Sequence, residues 1–332
     1  MKRLLRFPTW LLAWILAGGA VPPVLAQAPA RSQSRPQAQS RPQAPAEPDL
    51  GALLDVGRQW LEENVDTNVL AQLPELDERQ ASEWLRRIDT ALKGDDVLDL
   101  ARLRTVGRAL LPWVEKDETL RGYAPWLRSR LDYIEAAEEL DRLVPAAPKP
   151  KPGAPAVRRA TPTEPQQTQV WKRRVSTEPI PAAAQRHLPT LKSAFAAAGV
   201  PTDLVWVAEV ESGFDPKARS PAGAAGMFQL MPETARSLGL STFPFDERLD
   251  PAKSAAGAAK LLKRLHGQFR DWPLALAAYN AGEGRVRNLL TRHKATRFGE
   301  IARFLPAETQ MYVPKIDALL RRREGRGLAG LK

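Results

Sequence analysis

An almost wholly apolar stretch that ends in a glutamate constrains this chain more than any other feature. The stretch runs from Leu204 to Glu211 and is followed at once by Ser212 and Gly213. Its composition predicts a buried helix, and Pro201 falls near the first turn, where proline is well tolerated. A carboxyl group at the buried end of a helix is costly to ionise, because both burial and the helix dipole oppose the charge. We therefore expect a raised pKa for Glu211, as an acid that protonates a glycosidic oxygen requires.

The residues around Glu211 decide between this interpretation and a glutamate that is merely solvated at a helix end. Three blocks follow in order: 211–232 reads ESGFDPKARSPAGAAGMFQLMP, 277–284 reads AAYNAGEG, and 308–314 reads ETQMYVP. Together they resemble the soluble lytic transglycosylase family, which shares its core with goose-type lysozyme. The nearest likeness is to the membrane-bound lytic murein transglycosylase D type, and it covers about residues 183–320.

The resemblance implies a reaction on peptidoglycan with one catalytic carboxylate. Most glycosidases use two carboxylates around an oxocarbenium-like transition state. In the resembled family a single glutamate, here Glu211, first acts as the acid and then as the base. The C6 hydroxyl of the sugar attacks in place of water and leaves a 1,6-anhydro-muramic end, an intramolecular step that gains from proximity. Three other acids are expected to have structural roles: Glu209 points away from Glu211 on the helix, Asp215 sits in a turn before proline, and Glu283 caps the next helix.

The first block supplies further candidate substrate-binding residues. Ser212 is expected to orient Glu211 or to cap the helix. Gln229 and Met227 match the family's Gly-Leu-Met-Gln segment, which lines the cleft. This chain has Met227 and Phe228 where that segment has leucine and methionine, which changes how the sugar or its peptide packs. The small residues of 223–226 allow a glycan to lie against the backbone, although a tight turn explains them equally well.

The second and third blocks add two tyrosines and an asparagine. In the resembled family the hydroxyl of Tyr279 lies near the catalytic acid and helps to hold the sugar. Asn280 either caps its helix or hydrogen-bonds an acetamido group. Tyr312 lies close to the cleft in that family, and core packing is the alternative.

Composition excludes several other kinds of chemistry. The 332-residue chain contains no cysteine, so a disulfide, a thiolate metal site and a lipid-modified cysteine are all excluded. The absent cysteine departs from the resembled type, whose members are often lipoproteins, and we expect no lipid anchor. His187, His266 and His293 have no ligand spacing, so we expect no metal and no cofactor. The net charge of +11 suits a polyanion such as the cell wall, and no nucleic-acid-binding motif accompanies it.

Export is predicted from the first 26 residues. Basic residues precede an apolar run from about 10 to 21, and small residues precede a plausible cleavage site after Ala26. An uncleaved membrane anchor is the alternative, but the run is short for one. We therefore expect a periplasmic protein, or one exported to the cell envelope. Residues 27–48 are a low-complexity spacer in which an SRPQA motif recurs, and they are expected to be disordered.

The remaining chain is predicted to be mainly α, with a lysozyme-like catalytic domain preceded by a small helical domain and proline-rich linkers. Residues 49–144 carry helical periodicity without a catalytic constellation, so they are assigned a scaffold role or contact with a cell-envelope protein partner. Residues 145–179 are a proline-rich basic linker. Residues 180–322 are the catalytic domain, with a very small sheet near 223–231, and 323–332 are a solvated tail.

The sequence is compatible with three functions. The first is an exported lytic transglycosylase. The second is a goose-type lysozyme-like muramidase, which would use water and a second carboxylate on the same fold. The third is a non-catalytic cell-wall-binding scaffold, against which the presence of Glu211, Tyr279 and Asn280 argues.

Overall fold

The structure is a computed structural model that describes residues 77–146 and 159–331. The predicted signal peptide, 1–26, and the spacer, 27–48, lie outside the described residues. So do 49–76 of the predicted helical domain and 147–158 of the predicted linker.

Helices make up the regular secondary structure of the described residues, which confirms the mainly α prediction. In chain order they are α1 Glu78–Leu92, α2 Arg104–Lys116, α3 Ala124–Leu143, α4 Glu164–Thr177, α5 Ala182–Ala198, α6 Val207–Ser212, α7 Pro232–Ser237, α8 Pro251–Phe269, α9 Trp272–Ala281, α10 Glu283–His293, α11 Phe298–Ile301 and α12 Ala307–Glu324. Short 3₁₀ turns lie at Leu98–Leu103, Arg121–Tyr123, Thr202–Trp206, Glu247–Leu249, Ala302–Phe304 and Leu328–Gly330. No helix of the described residues is both long and apolar enough to cross a membrane.

Local sequence explains where the helices begin and end. The side chains of Asp250 and Asp271 accept hydrogen bonds from the third backbone N–H of α8 and α9, as good N-caps do. Each is followed within two residues by a proline, which fits the first turn. Helix α6 ends at Gly213, whose φ of 63° is easily adopted by glycine and stops the helix directly after Glu211 and Ser212.

Helix α12, most of whose residues are buried, packs against α4, α6 and α9. Helix α3 packs against α2, α4 and α6, so the helices from the predicted scaffold region adjoin the helix that carries Glu211. One hydrophobic cluster includes buried side chains of α1 to α3 and of α4 to α12. The described parts of the predicted scaffold region and catalytic domain therefore share one core, and the exact domain boundaries stay a prediction.

Part of the predicted linker is a helix, so the prediction is wrong for residues 164–177. The segment begins with a capping box between Thr163 and Gln166 and has a proline in the first turn. Trp171 is fully buried and meets Tyr133 of α3 edge to face, with 5.5 Å between the ring centroids. The proline-rich composition had indicated a linker. A proline in the first turn, however, is compatible with a helix.

The predicted solvated tail is also wrong over the described residues. Helix α12 continues to Glu324, and the Arg323 side chain is 2% exposed where it pairs with Glu209 at 2.7 Å. Beyond the helix, Arg326 pairs with Asp203 at 2.6 Å and Leu328 is buried. These contacts place the C-terminal residues beside Asp203 and Glu209, in the segment that carries Glu211.

The small sheet expected near 223–231 is reduced to two isolated antiparallel bridges, Arg219 with Ala225 and Ala225 with Leu230. No strand occurs in residues 77–146 or 159–331. Arg248, 5% exposed, holds this turn by donating to the carbonyl oxygens of Gly223 at 2.9 Å and Leu230 at 2.8 Å. A buried guanidinium thus satisfies backbone groups that a regular sheet would have paired.

Candidate active site

The Glu211 carboxyl group is buried at the C-terminal end of α6, and the residue as a whole is 3% exposed. Trp206 and Phe214 flank the helix and meet edge to face, with ring centroids 5.7 Å apart. The apolar residues of the segment therefore do pack in the core, as the sequence predicted. The carboxyl group of Glu211 is buried together with these residues because it lies on a helix that has little exposed surface.

Two side chains donate hydrogen bonds to this carboxyl group. The Tyr312 hydroxyl of α12 donates to Glu211 Oε1 at 2.7 Å. The Arg130 guanidinium of α3 approaches Oε2 through Nη2 at 3.5 Å, and its Nη1 lies 3.4 Å from the Glu211 carbonyl oxygen. The group is therefore held at both oxygens by residues from distant parts of the chain.

The pKa of Glu211 is raised above the ordinary value of 4.5, mainly because burial disfavours the charged form. Arg130 opposes this shift, the nearby Glu308 carboxylate adds to it, and the hydrogen bond from Tyr312 opposes it. The net direction agrees with the prediction from sequence. Burial thus favours the protonated form of Glu211, and the two donors stabilise the carboxylate that forms when the proton leaves.

A second carboxylate, Glu308, lies next to the first and is joined to it by Arg130. Arg130 Nη2 is 2.8 Å from Glu308 Oε1, and the Asn280 amide donates to the same oxygen at 3.1 Å. Thr309 in turn donates to Asn280 Oδ1 at 2.5 Å. Asn280 therefore orients Glu308, a role that neither the helix-cap nor the acetamido interpretation anticipated.

Tyr279 and Ser212 fasten the turn that follows α6. The Tyr279 hydroxyl donates to the Phe228 carbonyl oxygen at 2.6 Å rather than to Glu211. The Ser212 hydroxyl donates to the Met227 carbonyl oxygen at 2.8 Å, and it also lies 3.2 Å from the Ala208 carbonyl oxygen. The two side chains thus fix the 223–231 turn to α9 and α6, and Ser212 acts on Glu211 through the backbone.

The turn itself has a strained backbone, and Gln229 maintains it. Gln229 has a φ of 45° and donates through Nε2 to the carbonyl oxygens of Gly226 at 2.8 Å and Ala218 at 3.2 Å. Its Oε1 is buried and has no partner among the described residues. Met227 is fully buried and packs in the core instead of presenting a surface. Of these two predicted binding residues, Gln229 is half-buried and has the more exposed side chain.

The involvement of Arg130 was not predicted from the sequence, and no role was predicted for Glu308. Arg130 lies in α3, in the predicted scaffold region, 81 positions before Glu211. One sequence feature could have indicated Arg130: it is a charged residue between Leu127 and Ile134, on the apolar face of a predicted helix. Glu308 opens the third motif block, where its neighbour Tyr312 was named.

A cavity of about 880 Å³ opens beside the site, between α3, α12 and the end of α6. Ser129, Asp132, Glu209, Ser212 and Lys315 are among its lining residues. Ser212 is the only predicted site residue in its lining; Glu211, Gln229 and Tyr279 lie elsewhere. The cavity therefore reaches the backbone side of the Glu211 helix end, not its carboxyl group.

Comparisons with known proteins identify the region around this site. Residues 192–301 match the family model of the transglycosylase SLT domain. Membrane-bound lytic murein transglycosylase D of Escherichia coli (strain K12) is 44% identical over 126 residues, which are 36% of this chain and 27% of the relative. Membrane-bound lytic murein transglycosylase F of Saccharophagus degradans is 36% identical over 124 residues, 33% of this chain and 24% of the relative. The chain thus spans about a quarter of the length of these relatives.

Among solved structures, the soluble lytic transglycosylase SLT70 of Escherichia coli aligns with 85% of this chain and 63% of its own, at a TM-score of 0.39 and 17% identity. The family match contains Glu211 and all the predicted binding residues except Tyr312. The resemblance seen in the three motif blocks is confirmed: residues 192–301 are a transglycosylase SLT domain, homologous to the corresponding region of membrane-bound lytic murein transglycosylase D.

Proposed function

We propose that this protein is a peptidoglycan lytic transglycosylase that cleaves the β-1,4 bond between N-acetylmuramic acid and N-acetylglucosamine. The observation that carries the proposal is the buried Glu211 carboxyl group, whose pKa is raised by burial and which has two donors at its oxygens. The names of the relatives, murein transglycosylases, support the substrate class.

In the proposed reaction Glu211 serves twice. Its carboxylic proton passes to the glycosidic oxygen while the bond from that oxygen to C1 of the muramic acid breaks. The C6 hydroxyl oxygen of the same sugar then bonds to C1, and its proton returns to the Glu211 carboxylate. No water is consumed, and the product is a 1,6-anhydro-muramic end. Tyr312 and Arg130 would stabilise the carboxylate between the two proton transfers, because each offers a donor to it.

The glycan is proposed to lie against the 223–231 turn. Gly223 and its neighbour Ala222 are exposed there, and Gln229 is half-buried. The hydrogen bonds from Ser212 and Tyr279 to consecutive carbonyl groups hold the turn in place before substrate arrives. A preorganised site of this kind aligns the reacting groups without an ordering cost at the moment of reaction.

Hydrolysis by a goose-type lysozyme-like route is the second candidate, because Glu308 is a second carboxylate close to Glu211. In a hydrolase this group would activate water. Its Oε1, however, already accepts from Arg130 at 2.8 Å and from Asn280 at 3.1 Å. That oxygen is therefore already occupied by two donors and is poorly placed to accept a proton from water, which favours the transglycosylase.

The proposed substrate lies in the cell envelope, which agrees with the predicted export signal and the basic net charge of +11. We propose a periplasmic protein, or one exported to the cell envelope. We also propose that residues 49–144 contact an envelope protein. Within α1 to α3 this contact would use the exposed faces, since the buried faces contribute to the common core.

Product analysis tests the function. Purified peptidoglycan would be digested with the wild-type protein, with Glu211→Gln and with Glu233→Gln, and the muropeptides weighed before and after borohydride reduction. Glu233 is a matched control because its side chain is 75% exposed and lies on α7. We expect products lighter by one water and resistant to reduction from the wild type and from Glu233→Gln, and none from Glu211→Gln.

Each other outcome overturns part of the proposal. Reducible ends would identify a hydrolase. Activity of Glu211→Gln would remove Glu211 from its role as the acid. Retention of peptidoglycan without any product, from folded wild-type protein, would identify a non-catalytic binding protein.

A further inference from the structure

Arg130 is a buried cation shared unequally by two carboxylates. Its side chain is 7% exposed, and Nη2 lies 2.8 Å from Glu308 Oε1 but 3.5 Å from Glu211 Oε2. Asn280 donates a further hydrogen bond to the Glu308 oxygen. Glu308 therefore has the shorter ionic contact and an additional donor on the same atom.

We propose that Arg130 is a positioning residue that keeps the negative charge on Glu308 and the proton on Glu211 before the reaction, and then becomes the counterion of Glu211 once its proton has been transferred. This inference rests on the proposed function of Glu211 as the acid.

Electrostatics explains the division of charge. A buried carboxylate and a half-buried one beside a single cation do not both ionise cheaply, because the second charge would be uncompensated. Charge-assisted hydrogen bonds are strongest at short distance, so the anion belongs on Glu308, 2.8 Å from the guanidinium. When Glu211 loses its proton, a small movement of Nη2 brings the same cation to the new carboxylate. The site thus needs no rearrangement of the backbone to stabilise the intermediate charge.

The contacts of α3 with α6 hold Arg130 in this position. Ser129, its neighbour, donates to the Val210 carbonyl oxygen, and Arg130 Nη1 contacts the Ser129 hydroxyl oxygen at 3.1 Å. The rings of Trp126 and Tyr133 lie 5.9 and 6.0 Å from the guanidinium carbon. A cation packed between aromatic side chains and the backbone of α6 has little freedom to leave the two carboxylates.

Few other ionisable groups act on this pair. The groups that face Glu211 are Arg130 from α3, Glu308 and Tyr312 from α12, and Tyr279 from α9; Tyr133 from α3 faces Arg130. Burial raises the pKa of each of these three tyrosines well above 10, so they stay neutral in the working range. Among the charged groups, Arg130 and Glu308 therefore have the largest effects on the pKa of Glu211, in addition to the effect of burial.

The test compares Arg130→Met, Arg130→Lys and Glu308→Gln in the full-length protein. Arg128→Met is the matched control, because Arg128 lies on the same helix, is 59% exposed and pairs with Glu115. Two quantities are measured for each variant: the pH dependence of kcat and KM on peptidoglycan, and the titration midpoint of Glu211 from carbon-13 NMR of labelled glutamate, assigned with Glu211→Gln.

We expect opposite shifts from the two neutral variants. Arg130→Met should lower kcat on the order of 100-fold with little change in KM, because one preorganised donor to the developing charge is lost. Its Glu211 midpoint and the upper pH limit of activity should move to higher pH. Glu308→Gln should move both to lower pH, since Arg130 then has Glu211 as its remaining carboxylate partner. Arg130→Lys should restore much of the wild-type midpoint, and Arg128→Met should match the wild type.

Shifts in the same direction, or an unchanged Glu211 midpoint in both neutral variants, would overturn the role of Arg130. If Arg130→Met does not fold, Glu308→Gln tests the proposal alone. A Glu211 titration midpoint that is not lowered in this variant would refute the sharing of Arg130 between the two carboxylates. The NMR midpoint does not depend on turnover, so a failure of this inference is distinguishable from a failure of the proposed function, which Glu211→Gln and the product masses test.

Discussion

Tyr312→Phe removes one hydroxyl group from the candidate site and leaves the ring in the core. Tyr312 is fully buried, and its hydroxyl is 2.7 Å from Glu211 Oε1. The proposed chemistry generates a carboxylate at Glu211, and the hydrogen bond from Tyr312 strengthens as that charge forms. Its loss is therefore expected to raise the barrier more than it weakens substrate binding.

The magnitude follows from the contact. A hydrogen bond to a charged group is worth about 1.5–3 kcal/mol. At about 1.4 kcal/mol for each tenfold change in rate, the variant should lose about 10- to 150-fold in kcat. The same hydrogen bond opposes the rise in the pKa of Glu211, so its removal should raise that pKa further. The upper pH limit of activity should accordingly move to higher pH.

Steady-state kinetics on peptidoglycan across a pH series measures both effects, with Tyr279→Phe as the comparison. Tyr279 is a half-buried tyrosine, and its hydroxyl donates to the Phe228 carbonyl oxygen instead of Glu211. Tyr279→Phe should loosen the turn without moving the upper pH limit. A Tyr312→Phe variant with an unchanged kcat and an unchanged upper limit would refute the assignment of Tyr312 as a donor to the catalytic carboxylate.

Two predictions concern stability. Because the folded pKa of Glu211 is raised above 4.5, its contribution to stability is full below that pH and is lost as the pH rises through the folded value. Glu211→Gln should therefore become more stable relative to the wild type as the pH is raised from about 4.5, by about 1.4 kcal/mol for each unit by which the pKa is raised. Urea unfolding at several pH values measures this difference. A solvated carboxyl group would give no such trend. Gly226→Ala should destabilise the fold by at least about 2 kcal/mol, because φ is +80° and the new Cβ would lie 1.8 Å from the Arg248 carbonyl oxygen. Gly284→Ala, in α10 with nothing within 4 Å, should instead stabilise by about 0.5–1 kcal/mol, and equal effects in thermal unfolding of the two variants would contradict the steric argument.

Local sequence was sufficient to predict the environment of Glu211. The apolar run before it had to be buried, and Gly213 ended the helix directly after it, so the position and the protonation tendency followed from neighbouring residues. The 223–231 turn was predictable in the same way from its small residues. Its exact form was not, because the buried Arg248 takes over carbonyl groups that we expected a small sheet to satisfy.

Contacts between distant segments could not be predicted from a single sequence. Arg130 meets Glu211 across 81 positions, and no local pattern specifies which helix faces pack together. The same limitation explains the errors at the two predicted unstructured segments. Trp171 in the supposed linker and Arg323 in the supposed tail are buried by partners, Tyr133 and Glu209, that lie elsewhere in the chain.

The arrangement of the site also bears on which part of the chain is needed for the proposed reaction. The family match ends at residue 301 and begins at 192, so it includes Glu211 but neither Arg130 nor Tyr312, the two side chains that donate to its carboxyl group. Helix α4 packs between α3 and α12 and buries Trp171. A fragment that began at residue 180 would lose α3 and α4, and it would expose the apolar surface of α12 together with the uncompensated pair of Glu211 and Glu308. Helix α3 therefore supplies Arg130 to the electrostatic environment of Glu211, and we propose that α3 and α4 belong with the catalytic domain rather than with a separate scaffold.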